Sequence, residues 1–246
     1  MIEWGEIPIS PPAVVDRRTP EELEQLARYA AIDLAGASAQ EIIRWSADVF
    51  GKRVVLSQSM ANTALAHLIN SVAPEIEIVF LDTGVHFPET LQTRDRLIST
   101  TSLKVINAIP PITVAEQAAM YGEELWKTNP DLCCQIRKVK PMEDLLQNYD
   151  AWINGMRHAS ALHRKGRKVV EYDEERQVIK IAPMLHWSDQ QLLRYTLEND
   201  VVMNPLMYDG YPSIGCAPCT KRVAVGEDPR AGRWSGTGKT ECGLHT

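Results

Sequence analysis

"RVVLS" (53–57) and "IEIVFLD" (76–82), with "MANTALAHLINSVA" (60–73) between them, decide the fold. Each apolar run is short, rich in β-branched residues and closed by polar ones, the pattern of a strand buried on both faces. The segment between carries apolar residues at helical spacing, and a strand–helix–strand unit of this kind pairs its strands in parallel. The pattern repeats outward. "FPETLQTRDRLIST" (87–100) reads as a helix, "LKVINAI" (103–109) as a third strand, "VAEQAAMYG" (114–122) as a helix and "AWINGM" (151–156) as a fourth strand. "KVVEYDEERQVIKIAP" (168–183) differs, with two strands flanking a charged turn, and reads as a hairpin. The expected fold is α/β, an open, mostly parallel sheet with helices on both faces. From Pro205 onward Gly and Pro rise and periodicity fades; one domain is expected over residues 1–219, then a mobile tail over 220–246 with little core.

Local signals agree. Thr19 caps a helix opened by Pro20 with Glu22 closing the capping box; Ser38 with Glu41 and Ser188 with Gln191 repeat the device, the last before "DQQLLRYTLEND". The lead-in to Arg18, with Pro8, Pro11 and Pro12, reads as irregular. Hydrophobic residues make up 44% and charged residues 24% of the 246, an ordinary globular balance. A net charge of -6 argues against a large nucleic-acid footprint. No apolar run reaches membrane-spanning length, and "MIEWGEIPIS" lacks a secretory core, so the expected location is the cytoplasm, with no membrane partner. A homo-oligomer is compatible with this composition.

Five features can carry chemistry. "LSQSMANTA" (56–64) follows the first strand, where backbone N–H groups, a helix start and the hydroxyls of Ser57 and Ser59 could cradle a phosphate. With no glycine it also reads as an ordinary strand–helix turn. "LDTGVHFPET" (81–90) puts Leu81, Asp82 and Thr83 at the carboxyl end of the neighbouring strand, where ligands bind in such sheets; a solvated loop is the alternative. The five cysteines fall into Cys133–Cys134, Cys216 and Cys219 at C-x-x-C spacing, and Cys242. Neighbouring cysteines do not easily form an unstrained disulfide, and two tight pairs offer four sulfur ligands for zinc or a [4Fe–4S] cluster; core packing and a redox pair are the rivals. Arg137, Lys138, Lys140, Arg157, Arg230 and Arg233 flank these stretches, as the convergent cations of an anionic nucleotide would. Cys242 lies on the tail near Lys239 and His245, either an incidental thiol or a mobile nucleophile.

Together, "LDTGVHFPET", "PDLCCQIRKVKPM", "GYPSIGCAPCT", "GRW" and "KTECGLHT" resemble the assimilatory adenylyl-sulfate reductases, the thioredoxin-dependent sulfonucleotide reductases, from about residue 53 onward. The resemblance implies an adenine-nucleotide α-hydrolase-like sheet and a [4Fe–4S] cluster on Cys133, Cys134, Cys216 and Cys219. It implies that Cys242 attacks the sulfur of adenosine 5′-phosphosulfate, expelling AMP and leaving a Cys-S-sulfonate, from which thioredoxin or a glutaredoxin releases sulfite. Lys138, Arg157, Arg230 and Arg233 match positions around the phosphosulfate, Lys138 between cluster and substrate, and Ser57 and Ser59 match the family's phosphate loop. That loop typically reads S-F-S-G-A-E-D. Here it reads S-Q-S-M-A-N-T, with Met60 in place of the glycine, Gln58 in place of the aromatic and Asn62-Thr63 in place of the acids. The four cysteines favour the unphosphorylated nucleotide over 3′-phosphoadenosine 5′-phosphosulfate. The rivals are an ATP-pyrophosphatase relative, which would want a glycine-rich loop and a divalent metal, and an iron–sulfur or zinc interaction module, which leaves Cys242 unexplained.

Overall fold

The computed structural model describes residues 17–160, 166–239 and 241–244. The irregular lead-in therefore lies, up to residue 16, outside the described residues, as does His245. In chain order the elements are α1 (Pro20–Asp33), α2 (Ala39–Phe50), β1 (Val54–Ser57), α3 (Ala64–Val72), β2 (Glu77–Leu81), α4 (Pro88–Thr100), β3 (Val105–Ala108), α5 (Val114–Tyr121), α6 (Leu125–Thr128), α7 (Pro130–Cys134), α8 (Lys140–Leu146), β4 (Ala151–Ile153), β5 (Val170–Asp173), β6 (Val178–Ile181) and α9 (Asp189–Glu198). The expected capping boxes form at Thr19, Ser38 and Ser188, and a fourth forms at Thr113 with Glu116.

The six strands form one sheet in the order β3-β2-β1-β4-β6-β5. All neighbours are parallel except β5 and β6, the antiparallel hairpin read from the charged turn. Strand alternation divides the apolar side chains between two cores. Val54 and Leu56 of β1, Ile78 and Phe80 of β2, and Ala151 and Ile153 of β4 share one core with α1, α2 and α3. Val55, Val79 and Trp152, the residues between them, face a thinner second core closed by Met142 and Leu146 of α8. Helices thus cover both faces, as parallel strands require.

Leu244 is part of that second core and Cys242 packs against it. Trp234 is 4% exposed and Thr220 6%. The expectation of a tail with little core is corrected here. Short-range periodicity is absent after Pro205, but single apolar residues still find the body of the domain. Trp234 N–H donates to the Cys219 carbonyl at 3.0 Å, and Thr220 bridges Arg233.

At the amino end of the sheet, Asp150 is fully buried just before β4 and is ringed by Arg18 at 2.9 Å, Arg53 at 3.1 Å and Arg17 at 3.8 Å. Its peptide ties β1 to β6, with its N–H on the Arg53 carbonyl and its carbonyl accepting from Ile179 N–H. The opposite, carboxyl end carries the candidate site. β1 pairs with β2 on one side and β4 on the other, so the strand order reverses direction there, which is where open α/β sheets bind ligands.

Candidate functional site

The cysteine pairs come together. Asn129 caps α7 by accepting from Leu132 N–H, and Pro130 fills the first helical position, so Cys133 and Cys134 close a short, well-started helix. The chain then widens into a π-helical stretch, Gln135–Val139. Such widenings recur at functional sites, and this one carries Arg137 and Lys138 into burial. On the other side, a turn at Ala217–Cys219 is held by Ala217 N–H on the Val85 carbonyl at 2.8 Å and by Thr220 Oγ1 on the Cys216 carbonyl at 2.9 Å. Cys133, Cys134, Cys216 and Cys219 then line one cavity with Arg137, Lys138, Trp126 and Val85.

The sulfurs are supported from outside. Gln117 Nε2 donates to Cys133 Sγ at 3.8 Å, and Gln117 Oε1 accepts from Arg137 Nη1 at 3.0 Å. Thr83 Oγ1 shares a hydrogen bond with Cys216 Sγ at 3.3 Å, and its carbonyl accepts from Arg137 Nε at 2.5 Å. Thr83 was expected on the substrate side; its hydroxyl is turned to the cysteine cavity. Burial pushes the Cys133 and Cys134 thiols up, and Cys219 up to about 11. Burial alone would lower Lys138, but the sulfurs of Cys216, Cys134 and Cys242 outweigh it and hold Lys138 above the usual lysine value.

Among the described residues no group of three or more His, Cys, Asp and Glu side chains meets as the ligands of a single metal ion. The donor set itself is soft: four thiols on one cavity, two of them already hydrogen-bonded at sulfur and faced by two buried cations. That chemistry fits an iron–sulfur cluster, whose sulfurs are tuned by such hydrogen bonds, and it fits zinc.

Beside the cavity, four cations surround one indole. Arg233 lies 4.4 Å from the Trp234 ring centroid, Lys239 5.8 Å, and Lys138 and Arg230 each 5.9 Å. Trp234 holds a left-handed backbone, φ 48°. Arg233 is half-buried, its desolvation and then the neighbouring Arg230 lower its pKa, and Nη1 donates to Ser213 Oγ at 3.2 Å. Gly215 makes room for it, since a Cβ there would lie 2.2 Å from Arg233 Nη2. Among the described residues the buried donors Arg233 Nε and Trp234 Nε1 have no acceptor. Buried donors of this kind, amid four positive charges, suit anionic oxygens. The Cys242 sulfur is felt by Lys138, Cys134 and Arg233.

Other expected residues stand apart. Ser57 ends β1 and accepts from Trp152 Nε1 at 2.7 Å, while Ser59 is exposed. Leu81 ends β2 and Asp82 follows it; the Asp82 carboxylate accepts from Gly84 N–H at 3.0 Å and faces Arg94 at 3.6 Å. Arg157 follows β4, but its guanidinium is bound to Asp189 at 2.8 Å and the Trp187 carbonyl at 3.2 Å, because the first acid of α9 offers a near counter-charge. None of its contacts among the described residues joins it to Trp234 or the cysteines. Lys140 pairs with Asp144 on the exposed face of α8. Sequence reasoning missed Gln117, Trp234 and Asn154. Asn154 is buried just beyond β4 at the strand-order reversal, and its Nδ2 has no partner among the described residues. Met60, standing where the resembling family has glycine, keeps a left-handed backbone at φ 59° with its side chain fully buried.

A protein of Streptomyces coelicolor named adenosine 5′-phosphosulfate reductase is 49% identical over 233 residues, covering 95% of this chain and 99% of that one. One of the same name from Mycolicibacterium smegmatis is 42% identical over 231 residues, covering 94% and 98%. Among solved structures, the phosphoadenylyl-sulfate reductase of Candida auris in complex with phosphate superimposes with a TM-score of 0.68 at 25% identity, over 85% of this chain and 99% of that one. FMN adenylyltransferase of Candida glabrata, with a TM-score of 0.53 at 12% identity over 82% of this chain and 74% of that one, shares the fold alone. The phosphoadenosine phosphosulfate reductase domain matches residues 53–222, and with relatives this similar along nearly the whole length the chain belongs to the phosphoadenosine phosphosulfate reductase family.

Proposed function

We propose that this chain reduces adenosine 5′-phosphosulfate to sulfite and AMP in sulfate assimilation, upstream of cysteine synthesis, in the cytoplasm. The observation that carries the reading is the position of Cys242, a thiol packed on the second core within electrostatic reach of Lys138 and Arg233, two of the four cations around Trp234, where Arg233 Nε and Trp234 Nε1 are unpaired among the described residues. The four paired cysteines and the names of the relatives favour the unphosphorylated nucleotide over its 3′-phosphorylated form.

In this reading the nucleotide lies across the carboxyl ends of β1 and β2. Ser57, Ser59, Leu81, Asp82 and Thr83 contact or shape its pocket, and Arg157 turns inward when the anion arrives. Lys138, Arg230 and Arg233 hold the phosphosulfate oxygens. The Cys242 thiolate attacks the sulfate sulfur. A sulfur–sulfur bond forms, the sulfur–oxygen bond to the phosphate breaks, and its electron pair leaves on AMP. The cations stabilise the charge that builds on that leaving oxygen. Closing the tail excludes water from the attack. A protein dithiol, thioredoxin or a glutaredoxin, then attacks the Cys242 sulfur. Sulfite departs with the electron pair of the broken bond, and the second thiol of the reductant closes a disulfide and frees Cys242. Cys133, Cys134, Cys216 and Cys219 would hold a [4Fe–4S] cluster, which supplies electrostatic tuning beside Lys138 when bound.

The test is a single turnover. Nucleotide without reductant should leave one SO3 unit on the C-terminal peptide, and thioredoxin should release it as sulfite. Repeated turnover by a Cys242→Ser protein would sink the reading.

A further inference from the structure

The tail is fastened on both sides of Cys242. Upstream, Glu241 pairs with Arg230 at 3.1 Å and Lys239 with Asp131. Downstream, the fastening comes from the hairpin between β5 and β6, a piece of the chain with no other link to the reaction. Arg176 sits in that turn with its side chain 3% exposed. Its Nη2 donates at 3.1 Å to the carbonyl of Gly243, the residue immediately after Cys242. The same guanidinium is held in place by Asp173 at 3.1 Å and by Glu143 of α8 at 3.7 Å, and Asp173 is itself fixed by Lys180 at 2.7 Å. Gly243 turns there with φ 83°, close enough that a Cβ would meet Val139 Cγ2 at 3.4 Å, and Leu244 drops into the second core. A buried arginine is costly unless its hydrogen bonds are used. This one directs part of its fork at a backbone carbonyl 67 residues away.

We propose that Arg176 is a positioning residue for the nucleophile, a latch on the hairpin that holds the closed tail and sets how Cys242 divides its time between the nucleotide and the protein reductant. The proposal rests on Cys242 being the nucleophile. A charged donor on a neutral carbonyl is strong enough to bias closure by about tenfold to a hundredfold, and weak enough to open in each cycle. Leu244 adds the apolar half of the latch. Together they make closure a local, reversible equilibrium rather than part of global folding.

The experiment compares wild type with Arg176→Gln, Arg176→Lys and Leu244→Ala as full-length proteins. The first readout needs no catalysis: the alkylation rate of Cys242 by iodoacetamide, followed on the C-terminal peptide by mass spectrometry. Arg176→Gln should raise it about tenfold or more, Leu244→Ala should raise it too, and Arg176→Lys should restore part of the protection. The second readout splits the reaction. Without reductant, S-sulfonation of Arg176→Gln should slow by about the same factor, while thioredoxin releases sulfite from preformed adduct at least as fast as in wild type. Unchanged alkylation in both Arg176→Gln and Leu244→Ala overturns the latch. So does equal slowing of both half-reactions together with a lowered Tm that lysine does not rescue, which marks a purely structural role. If alkylation rises as expected but wild type forms no adduct, the latch stands and the nucleophile assignment falls.

Discussion

Gly215→Ala should weaken nucleotide binding although residue 215 itself offers the ligand no side-chain group. The backbone at Gly215 is not in the left-handed region, so alanine is conformationally acceptable there. The obstacle is steric. The new Cβ would lie 2.2 Å from Arg233 Nη2 and 2.6 Å from its Cζ, so the guanidinium must leave its place. It would give up the Ser213 hydrogen bond and the Trp234 face at 4.4 Å. A displaced Arg233 would lose the charged hydrogen bond to the phosphosulfate proposed for it above, an expected cost of about 1.5–3 kcal/mol, or roughly tenfold to a hundredfold in Kd. Calorimetric titration with the nucleotide, beside Arg233→Ala and the double mutant, measures it. Because both changes remove one interaction, the double mutant should bind no worse than Arg233→Ala, leaving a coupling energy as large as the Gly215→Ala effect. Iron content should match wild type, which separates the result from damage to the neighbouring Cys216. Affinity within twofold of wild type, or losses that simply add, would refute the argument.

Serine at any one of Cys133, Cys134, Cys216 or Cys219 should cost iron and sulfide, read by elemental analysis and by loss of absorption near 400 nm, since a hydroxyl is a poor substitute for thiolate. Cys242→Ser should keep that absorption and bind nucleotide with unchanged affinity, yet form no sulfonated peptide. Met60→Gly, which restores the family's glycine, relieves about 1–2 kcal/mol of left-handed strain but empties a fully buried site worth roughly 2–5 kcal/mol, so denaturant unfolding should show a net loss. For Asp173, burial alone would raise the pKa, but the Lys180 and Arg176 contacts overcome it and leave the value depressed. Its stabilisation is therefore present at neutral pH and lost as pH falls through that depressed value, so the stability gap between wild type and Asp173→Asn should shrink in acid.

Strands and helix starts were legible because their signals are local. A buried strand announces itself in four or five apolar residues, and Thr19, Ser38 and Ser188 form their boxes with residues three places away. The convergence of Cys133–Cys134 with Cys216 and Cys219 was legible because paired thiols have few other uses. Arg157 shows where that logic stops. Its charge suggests an anion, but its guanidinium is paired here with Asp189, a partner remote in sequence to which no local signal points. Gln117 and Trp234 were silent for the same reason: a buried amide and an indole acquire meaning only once Arg137, Cys133 and the four cations are placed around them. The tail was misjudged because docking by isolated residues such as Leu244 leaves no periodic trace.

The ring of arginines around Asp150 has a consequence for how this protein can vary. It fastens β1, β4 and β6 at their amino ends, while the nucleotide is expected at the carboxyl ends. The sheet thus has an anchored margin and a free one. Changes along the free margin are insulated from the anchor, so the turn from Ser57 to Thr63 could trade the family's glycine and acids for Met60, Asn62 and Thr63 while the strand register stayed put. Selection can retune ligand preference there at little risk to folding, whereas the same freedom is denied to Asp150, where one lost carboxylate would leave three cations repelling one another.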